Sequence, residues 1–486
     1  AGVPSGTVAE GIQVGGRGKL EVIAGGSIDL ANSFGIVTRG NFDNPALVEQ
    51  GASILVQAGS RQFGASELLA LLRPATGSGL AIAPFDRIIV EVSGAGSIAQ
   101  FLTPSASDDA KTQQLKTKVA ALREVEQKRI AGAVERIDDA IVGWMRAQPG
   151  HAGAGDAALI AAFDALPANE RGAFFDANRP LLSGLLNASL RYAGQLGDLL
   201  GTGKASFRPG YEAIAAAFPV PAAGDINLFA SQIKSEQGGN VDLVAPGGAI
   251  NVGVAGSGAS AVAASRQGVF AIGAGEINAL SGADFQVGPS RVFTMGGGDI
   301  QIWSSGGNID AGKGSSTASA TPPPQVVIRG DLVVLDISAS VSGSGVRTLA
   351  KSPDIDLSAT EIRVFAPDGA VIAQDAGFGG SNIFIAAREV IGDNIKGSVS
   401  GSATVAPAAP AAPAVAPPSE ANKATDQAQG ATASGNREER ERNSILTVEL
   451  VGLGETATGS GDSAGSDGDG AGAGDQKRKD RDTRVN

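Results

Sequence analysis

The stretch GDINLFASQIKSEQGGNVDLVAPGGAINVGVAG, residues 224–256, decides the fold. It holds three short runs of β-forming residues, and Gly, Asn, Asp or Ser bounds each run. Within the runs apolar residues alternate with polar ones, as in Ile226 and Leu228 or Val241 and Leu243. A period of two predicts strands that bury one side and leave the other in water.

The same unit, Gly-Gly-x-Ile/Val-x-Ile/Leu/Val, returns along much of the chain. Further copies are GKLEVIAGGSIDLA from Gly18, ASILVQAG from Ala52, GAGEINAL from Gly273 and GGDIQIW from Gly297. Self-similarity of this kind is typical of a stacked solenoid, because each repeat must bury its apolar side against the next. We therefore predict an all-β protein built as a parallel β-helix, with a Gly-rich β-sandwich as the alternative.

A different pattern, typical of helices, occupies residues 105–218. Apolar residues such as Leu115, Val119 and Leu122 recur there at three- and four-residue spacing. Ser107 and the two acids after it form a helix start signal. We predict β-helix segments at 1–104 and 219–400 on either side of this α-helical insertion. Its apolar stripe indicates core packing rather than a partner-binding surface.

The amino-acid composition changes again in the C-terminal part of the chain. Residues 401–443 are rich in Ala and Pro, and residues 455–486 in Gly and charged residues, so we predict that both are disordered. Between them lies SILTVELVGLG, residues 444–454, whose alternating β-formers predict a strand. We expect this strand to dock on the solenoid, because an exposed strand edge invites pairing.

The amino-acid composition argues against several classes of function. The net charge of −12 argues against nucleic-acid binding, which depends on Lys and Arg neutralising phosphates. The sequence has no Cys, which excludes disulfides, thiolate zinc sites and cysteine nucleophiles. Aromatic residues make up 4% of the chain, as expected if a narrow solenoid interior is filled by aliphatic side chains.

Several stretches resemble one known family. GYEAIAAAFP (210–219), the stretch at 224–256, GGDIQIWSSGGNIDAGKG (297–314) and SILTVELVGLG (444–454) are similar to the C-terminal region of filamentous-haemagglutinin-like exoproteins. The resemblance implies a right-handed parallel β-helix, exported by two-partner secretion through a dedicated outer-membrane transporter. It also implies a secreted or surface-displayed adhesin of a Gram-negative bacterium, which contacts a host or neighbouring-cell surface (protein or glycan) and can self-associate into fibres.

Catalysis has weak support in the sequence. The one histidine, His151, lies in the loop PGHAGAGD, and nothing around it resembles a nucleophile elbow. A carbohydrate-active β-helix enzyme would use clustered carboxylates, and the stalk of a contact-dependent toxin system is a further alternative. Turn chemistry explains the candidate carboxylates better, so we predict no catalytic, cofactor or metal site. The candidates are Asp225, Asp242, Asp299, Asp310, Asp354 and Asp356.

One aromatic residue deserves a test as a binding residue. Trp303 follows Ile300 and Ile302, so in a regular strand its side chain points away from theirs. If those two isoleucines face the interior, Trp303 faces outward, where an aromatic ring can stack on a sugar. We predict Trp303 as a possible surface-binding residue.

Overall fold

A computed structural model of the protein describes residues 11–41, 46, 48, 50–74, 81–201, 203–253, 266–314, 343–350 and 355–401, and the backbone of 325–329 and 332–336. The predictions for 401–443, 444–454 and 455–486 lie outside the described residues, except that Gly401 ends a strand. Asp354 also lies outside them.

The main sheet is wound into coils. Each coil contributes short strands to three faces, and equivalent strands of successive coils pair in parallel. Face one contains β1 (Gly11–Val14), β4 (Gly35–Thr38), β7 (Gln232–Ser235), β10 (Gly268–Ile272), β13 (Arg291–Met295) and β18 (Gly345–Leu349). Face two contains β2 (Lys19–Ile23), β5 (Ser53–Gln57), β8 (Val241–Ala245), β11 (Ile277–Ser281) and β14 (Ile300–Ser304). Face three contains β3 (Ile28–Asp29), β6 (Ile226–Asn227), β9 (Ile250–Asn251), β12 (Phe285–Gln286) and β15 (Ile309–Asp310).

Strands lengthen in the last coils. β19 (Glu361–Ile372) covers faces two and three, β20 (Phe378–Ile391) covers all three faces, and β21 (Ile395–Gly401) pairs with β20 in parallel. A separate antiparallel hairpin, β16 (Gln325–Arg329) and β17 (Leu332–Asp336), precedes β18 in the chain.

The interior is made of stacked aliphatic columns. On face two, in-register pairing places Ile54, Val241 and Ile277 one above the other, and Ile300 continues the column. All four are fully buried. Because parallel strands lie about 4.8 Å apart, each methyl-bearing side chain contacts its counterpart in the next coil. The predicted parallel β-helix with an α-helical insertion is confirmed.

The insertion is larger than predicted and sits inside one coil. Its helices are α1 (Ala65–Leu72), α2 (Ala83–Ser93), α3 (Ile98–Leu102), α4 (Ala110–Arg146), α5 (Asp156–Asp164), α6 (Ala168–Ala177), α7 (Arg179–Leu200) and α8 (Arg208–Ala217). The boundary at residue 104 is therefore corrected: the helices begin at Ala65. Leu68, Leu69 and Leu72 recur at helical spacing, but apolar runs this short do not separate a strand from a helix by composition.

The helical block covers the outer side of face two. The outward side chains Leu55, Val244, Leu280, Trp303 and Phe365 belong to the same buried cluster as the helices. Two glycines allow the close approach. A Cβ added to Gly194 of α7 would lie 2.1 Å from the Phe365 ring, and one added to Gly210 of α8 would lie 2.5 Å from the Trp303 ring.

We expect Trp303→Ala to destabilise the protein by about 3–5 kcal/mol, because it leaves a cavity between face two and α8. The measurement is urea unfolding followed by circular dichroism. Val125→Ala is the matched control, since Val125 is 55% exposed on α4 and should change the free energy of unfolding by less than about 0.5 kcal/mol. Equal stability of the two variants would contradict the packing described above.

Candidate functional site

The three faces differ in what they expose. On face one the outward side chains of Phe270, Ile272, Phe293 and Met295 are buried. On face two the helical block covers the outward side chains. Among the described residues, face three keeps a row of polar side chains in contact with solvent. It is therefore the candidate functional surface.

Face three is built from one pentapeptide that repeats in five coils. The copies are SIDLA (27–31), DINLF (225–229), AINVG (249–253), DFQVG (284–288) and NIDAG (308–312), and β3, β6, β9, β12 and β15 pair through their second and third positions. The second and fourth positions point inward, and the third points outward.

The first position of the pentapeptide joins neighbouring coils. Asp225 Oδ1 accepts the backbone N–H of Ala249 at 2.8 Å, and Asp284 Oδ1 accepts that of Asn308 at 2.8 Å. Asn308 Oδ1 in turn accepts the N–H of Ala370 at 2.9 Å. These side chains satisfy backbone donors at the corner between faces two and three, so their role is structural.

The third position forms a polar row, in which Asp29 and Gln286 are exposed and the other three side chains are half-buried. Its members are Asp29, Asn227, Asn251, Gln286 and Asp310. Asn251 Nδ2 donates to Asn227 Oδ1 at 2.6 Å, and Asn227 Nδ2 donates to Asp29 Oδ1 at 2.6 Å. With strands about 4.8 Å apart, the five side chains extend over about 19 Å.

The other candidate carboxylates also bond to backbone. Asp299 Oδ1 accepts the N–H of Glu361 at 2.9 Å, and Asp310 Oδ1 accepts that of Gly312 at 2.8 Å. Asp356 Oδ1 accepts the N–H of Ser358 at 2.8 Å, and this bond lowers the pKa of the carboxyl group. Asp310 and Asp356 thus bond within their own turns, whereas Asp299 bonds to the following coil.

The sequence analysis favoured neither a catalytic histidine nor a metal site. His151 lies between α4 and α5, where its carbonyl accepts the N–H of Ala154 at 3.2 Å in a turn. Within the described ranges, no group of three or more His, Asp or Glu side chains is placed to hold a metal ion.

Trp303 requires a correction. Its side chain does point opposite to Ile300 and Ile302, which lie in the interior cluster. The ring is nevertheless fully buried, because α8 covers this face and Tyr211 meets it edge-on at 5.9 Å. Trp303 therefore does not reach the surface, and its role is packing between the coils and the helical block.

A network of charged groups lies under the helical block. Arg191 of α7 donates to Glu126 of α4 at 2.9 Å, and its guanidinium lies 3.8 Å from Glu361 of β19. Arg363 donates to Asp299 at 3.0 Å and also pairs with Glu361. Desolvation, followed by the neighbouring Arg363, lowers the pKa of Arg191. Sequence reasoning missed this network, since its members come from α4, α7, β19 and the segment just before β14.

Asp242 is the carboxylate most perturbed by this packing. Its Oδ1 accepts from Asn187 of α7 at 3.1 Å and from Asn278 of the next coil at 3.0 Å. Desolvation raises the pKa of Asp242 to about 6, although both hydrogen bonds act to lower it, and Glu276 adds a smaller increase. Asp242 thus links the helical block to face two by hydrogen bonds. Its burial makes ionisation of the carboxyl group unfavourable.

A cleft of about 880 Å³ lies between the α2–α3 connection and the start of α4. Its charged groups satisfy each other: Lys116 Nζ donates to Asp108 Oδ2 at 2.7 Å and to the Thr103 carbonyl at 3.0 Å. Because this lysine and this carboxylate are already paired, the cleft is a weaker candidate site than face three.

We expect Asp242→Asn to remove a pH dependence of stability. Between the unfolded pKa of about 3.9 and the folded pKa of about 6, the native state holds a proton that the unfolded state releases. Stability from this proton is complete below pH 4 and is lost as the pH rises through 6. An Asn carbonyl can accept both bonds without a charge, so the variant should be more stable at pH 8 by about 2–3 kcal/mol and equally stable at pH 4.

The measurement is urea unfolding between pH 4 and pH 8. Asp356→Asn is the control with the opposite sign, because a lowered folded pKa stabilises above the unfolded value and that stability is lost on acidification. A pH profile of Asp242→Asn parallel to that of the unmodified protein would contradict the raised pKa.

In the described part of the chain no helix combines the length and apolar character needed to cross a bilayer. Comparison with known proteins gives one match. Residues 297–408 match the model of a family described as filamentous haemagglutinin family outer membrane protein. No curated protein and no solved structure matches the chain.

The matched segment begins just before β14 and includes β15, β18, β19, β20 and β21. It thus covers the later coils of the β-helix, where GGDIQIWSSGGNIDAGKG carries the resemblance noted in the sequence. The family description agrees with a secreted or cell-surface location. The expected resemblance is confirmed, and in its later coils this chain is similar to the outer membrane proteins of the filamentous haemagglutinin family.

Proposed function

We propose that the chain is a non-enzymatic, adhesive segment of an extracellular or surface-displayed protein, exported by two-partner secretion. The observation that carries the proposal is that polar side chains of the coils bond to the backbone of neighbouring coils. Asp225, Asp284 and Asp299 each accept a backbone N–H of the following coil, so they serve the stacking of the β-helix. Polar groups that hold a scaffold together support a structural role, and the match over 297–408 supports a surface location.

The architecture suits an adhesive role. A β-helix repeats each outward side chain in every coil, so one face can present the same chemical groups at regular spacing. Face three does so with five polar side chains, from Asp29 to Asp310. Self-association into fibres and export by an outer-membrane transporter belong to the same proposal.

The experiment compares attachment and turnover. Latex beads coated with the purified chain should attach to epithelial or bacterial cell layers more than beads coated with albumin. The same preparation, incubated with a panel of polysaccharides, should release neither reducing nor unsaturated ends. Release of such ends would favour the carbohydrate-active enzyme instead.

A second experiment addresses location. Antibodies raised against the helical block should label intact cells of a strain that carries the gene, and deletion of the partner transporter should abolish the labelling. Labelling that appears only after the cells are permeabilised would contradict surface display.

A further inference from the structure

The corner that follows face three contains one residue that departs from the repeat. The fifth position of the pentapeptide is Gly253, Gly288 or Gly312 in three coils and Ala31 in another, but Phe229 in the second coil. Phe229 adopts a φ of 54°, in the left-handed region where a bulky residue is an outlier. A glycine here would remove the strain.

Burial of the Phe229 ring in the core does not offset that strain, since the residue is 37% exposed. A second exposed aromatic lies at the same corner: Phe34, 40% exposed, in the turn of the adjacent coil. The two turns run side by side, because Gln232 Nε2 donates to the Phe34 carbonyl at 3.1 Å and Ala230 N–H donates to the Ala31 carbonyl at 3.2 Å. Strain retained at an exposed position points to a function.

Hydrogen-bonding groups lie next to these rings. The ladder from Asn251 through Asn227 to Asp29 belongs to the same coils, and Asn227 is two residues before Phe229. Among the described residues, each amide nitrogen of this ladder uses one of its two hydrogens, and Asp29 uses one of its two oxygens. Donors and acceptors therefore remain, spaced by about 4.8 Å along the face.

Charge decides between ligand classes. In the described part of the turns at this corner, residues 27–34, 225–232, 249–253 and 266–267, the ionisable side chains are Asp29, Asp225 and Arg266. The carboxylates outnumber the guanidinium, and the exposed Asp29 belongs to the polar row itself, so a sulfated or sialylated chain would meet like charge at the row, which disfavours binding. Uncharged sugars offer apolar ring faces for stacking on aromatic side chains, and hydroxyl groups for amides and carboxylates.

We propose that this corner is a binding site for an uncharged linear glycan. The rings of Phe34 and Phe229 stack on sugar faces, and the side chains of Asp29, Asn227 and Asn251 bond to hydroxyl groups of successive sugars. The inference rests on the proposed adhesive function and names the ligand class for it.

The test is Phe229→Gly in the full chain, with Ala31→Gly as its matched control. Both substitutions relieve a left-handed φ at equivalent corner positions, so both should keep or raise the unfolding temperature. We expect the unmodified chain to bind neutral oligosaccharides on an array that also carries sialylated and sulfated ones. Calorimetry with a neutral oligosaccharide retained on the array should show at least a tenfold loss of affinity for Phe229→Gly and no loss for Ala31→Gly.

A second pair of variants tests the polar row. Asn251→Ala should weaken binding at least tenfold, because it removes an amide of the ladder beside Phe229. Gln114→Ala, which removes an exposed amide on α4 and outside face three, should change affinity less than twofold.

Several outcomes would overturn the site. Two of them are an unchanged glycan affinity of Phe229→Gly and a preference of the unmodified chain for sulfated or sialylated sugars. A third is an altered oligomeric mass of Phe229→Gly in light scattering with no change in glycan binding, which would make the corner a self-association surface. If the chain binds no glycan while coated beads still attach to cells, this inference fails and the proposed function stands. If the beads do not attach, the proposed function fails.

Discussion

Parallel in-register stacking is the constraint on which the rest of the structure depends. It places each side chain against its counterpart in the next coil, so a choice made at one position repeats as a column. Inside, the columns are aliphatic because methyl groups pack at the strand spacing, as in Ile54, Val241 and Ile277. Outside, the columns determine whether a face stays in water or must be covered.

Face two shows the covered case. Its outward column changes from Gln57 to Val244, Leu280, Trp303 and Phe365, and Leu55 lies in the neighbouring column. This surface is too apolar to leave in solvent. The helical block covers this surface. It has glycine at the two closest approaches, where Gly194 faces the ring of Phe365 and Gly210 faces the ring of Trp303. At the polar margin, Glu126, Arg191 and Glu361 pair across the boundary. Removing one member of such a network is costly, because its buried partners lose their compensation.

The sequence predicted the coils well because their signal is local. Gly-bounded runs with period two marked the strands, and the long periodic pattern after residue 105 marked α4 and the later helices. It failed where an answer depends on distant contacts. The segment from Ala65 to Leu102 has apolar runs too short to identify, and Trp303 is buried by a helix that no local pattern connects to it. Phe229 could have been found by aligning the five pentapeptides, where an aromatic residue stands among Gly and Ala.

The place where the helical block joins the β-helix has a kinetic consequence. The chain leaves the second coil at Gly59 and returns at Ala222, and the Ala222 N–H donates to the Gly59 carbonyl at 2.9 Å. Contacts between the strands before the block and those after it therefore join residues far apart in sequence, as with Asp29 and Asn227, which are 198 apart, whereas Asn227 and Asn251 are 24 apart. Closing the longer loop costs more entropy before any contact forms. The coils beyond the block can thus assemble early as a template, and β1 to β5 join them once the folded helices have brought Gly59 and Ala222 together.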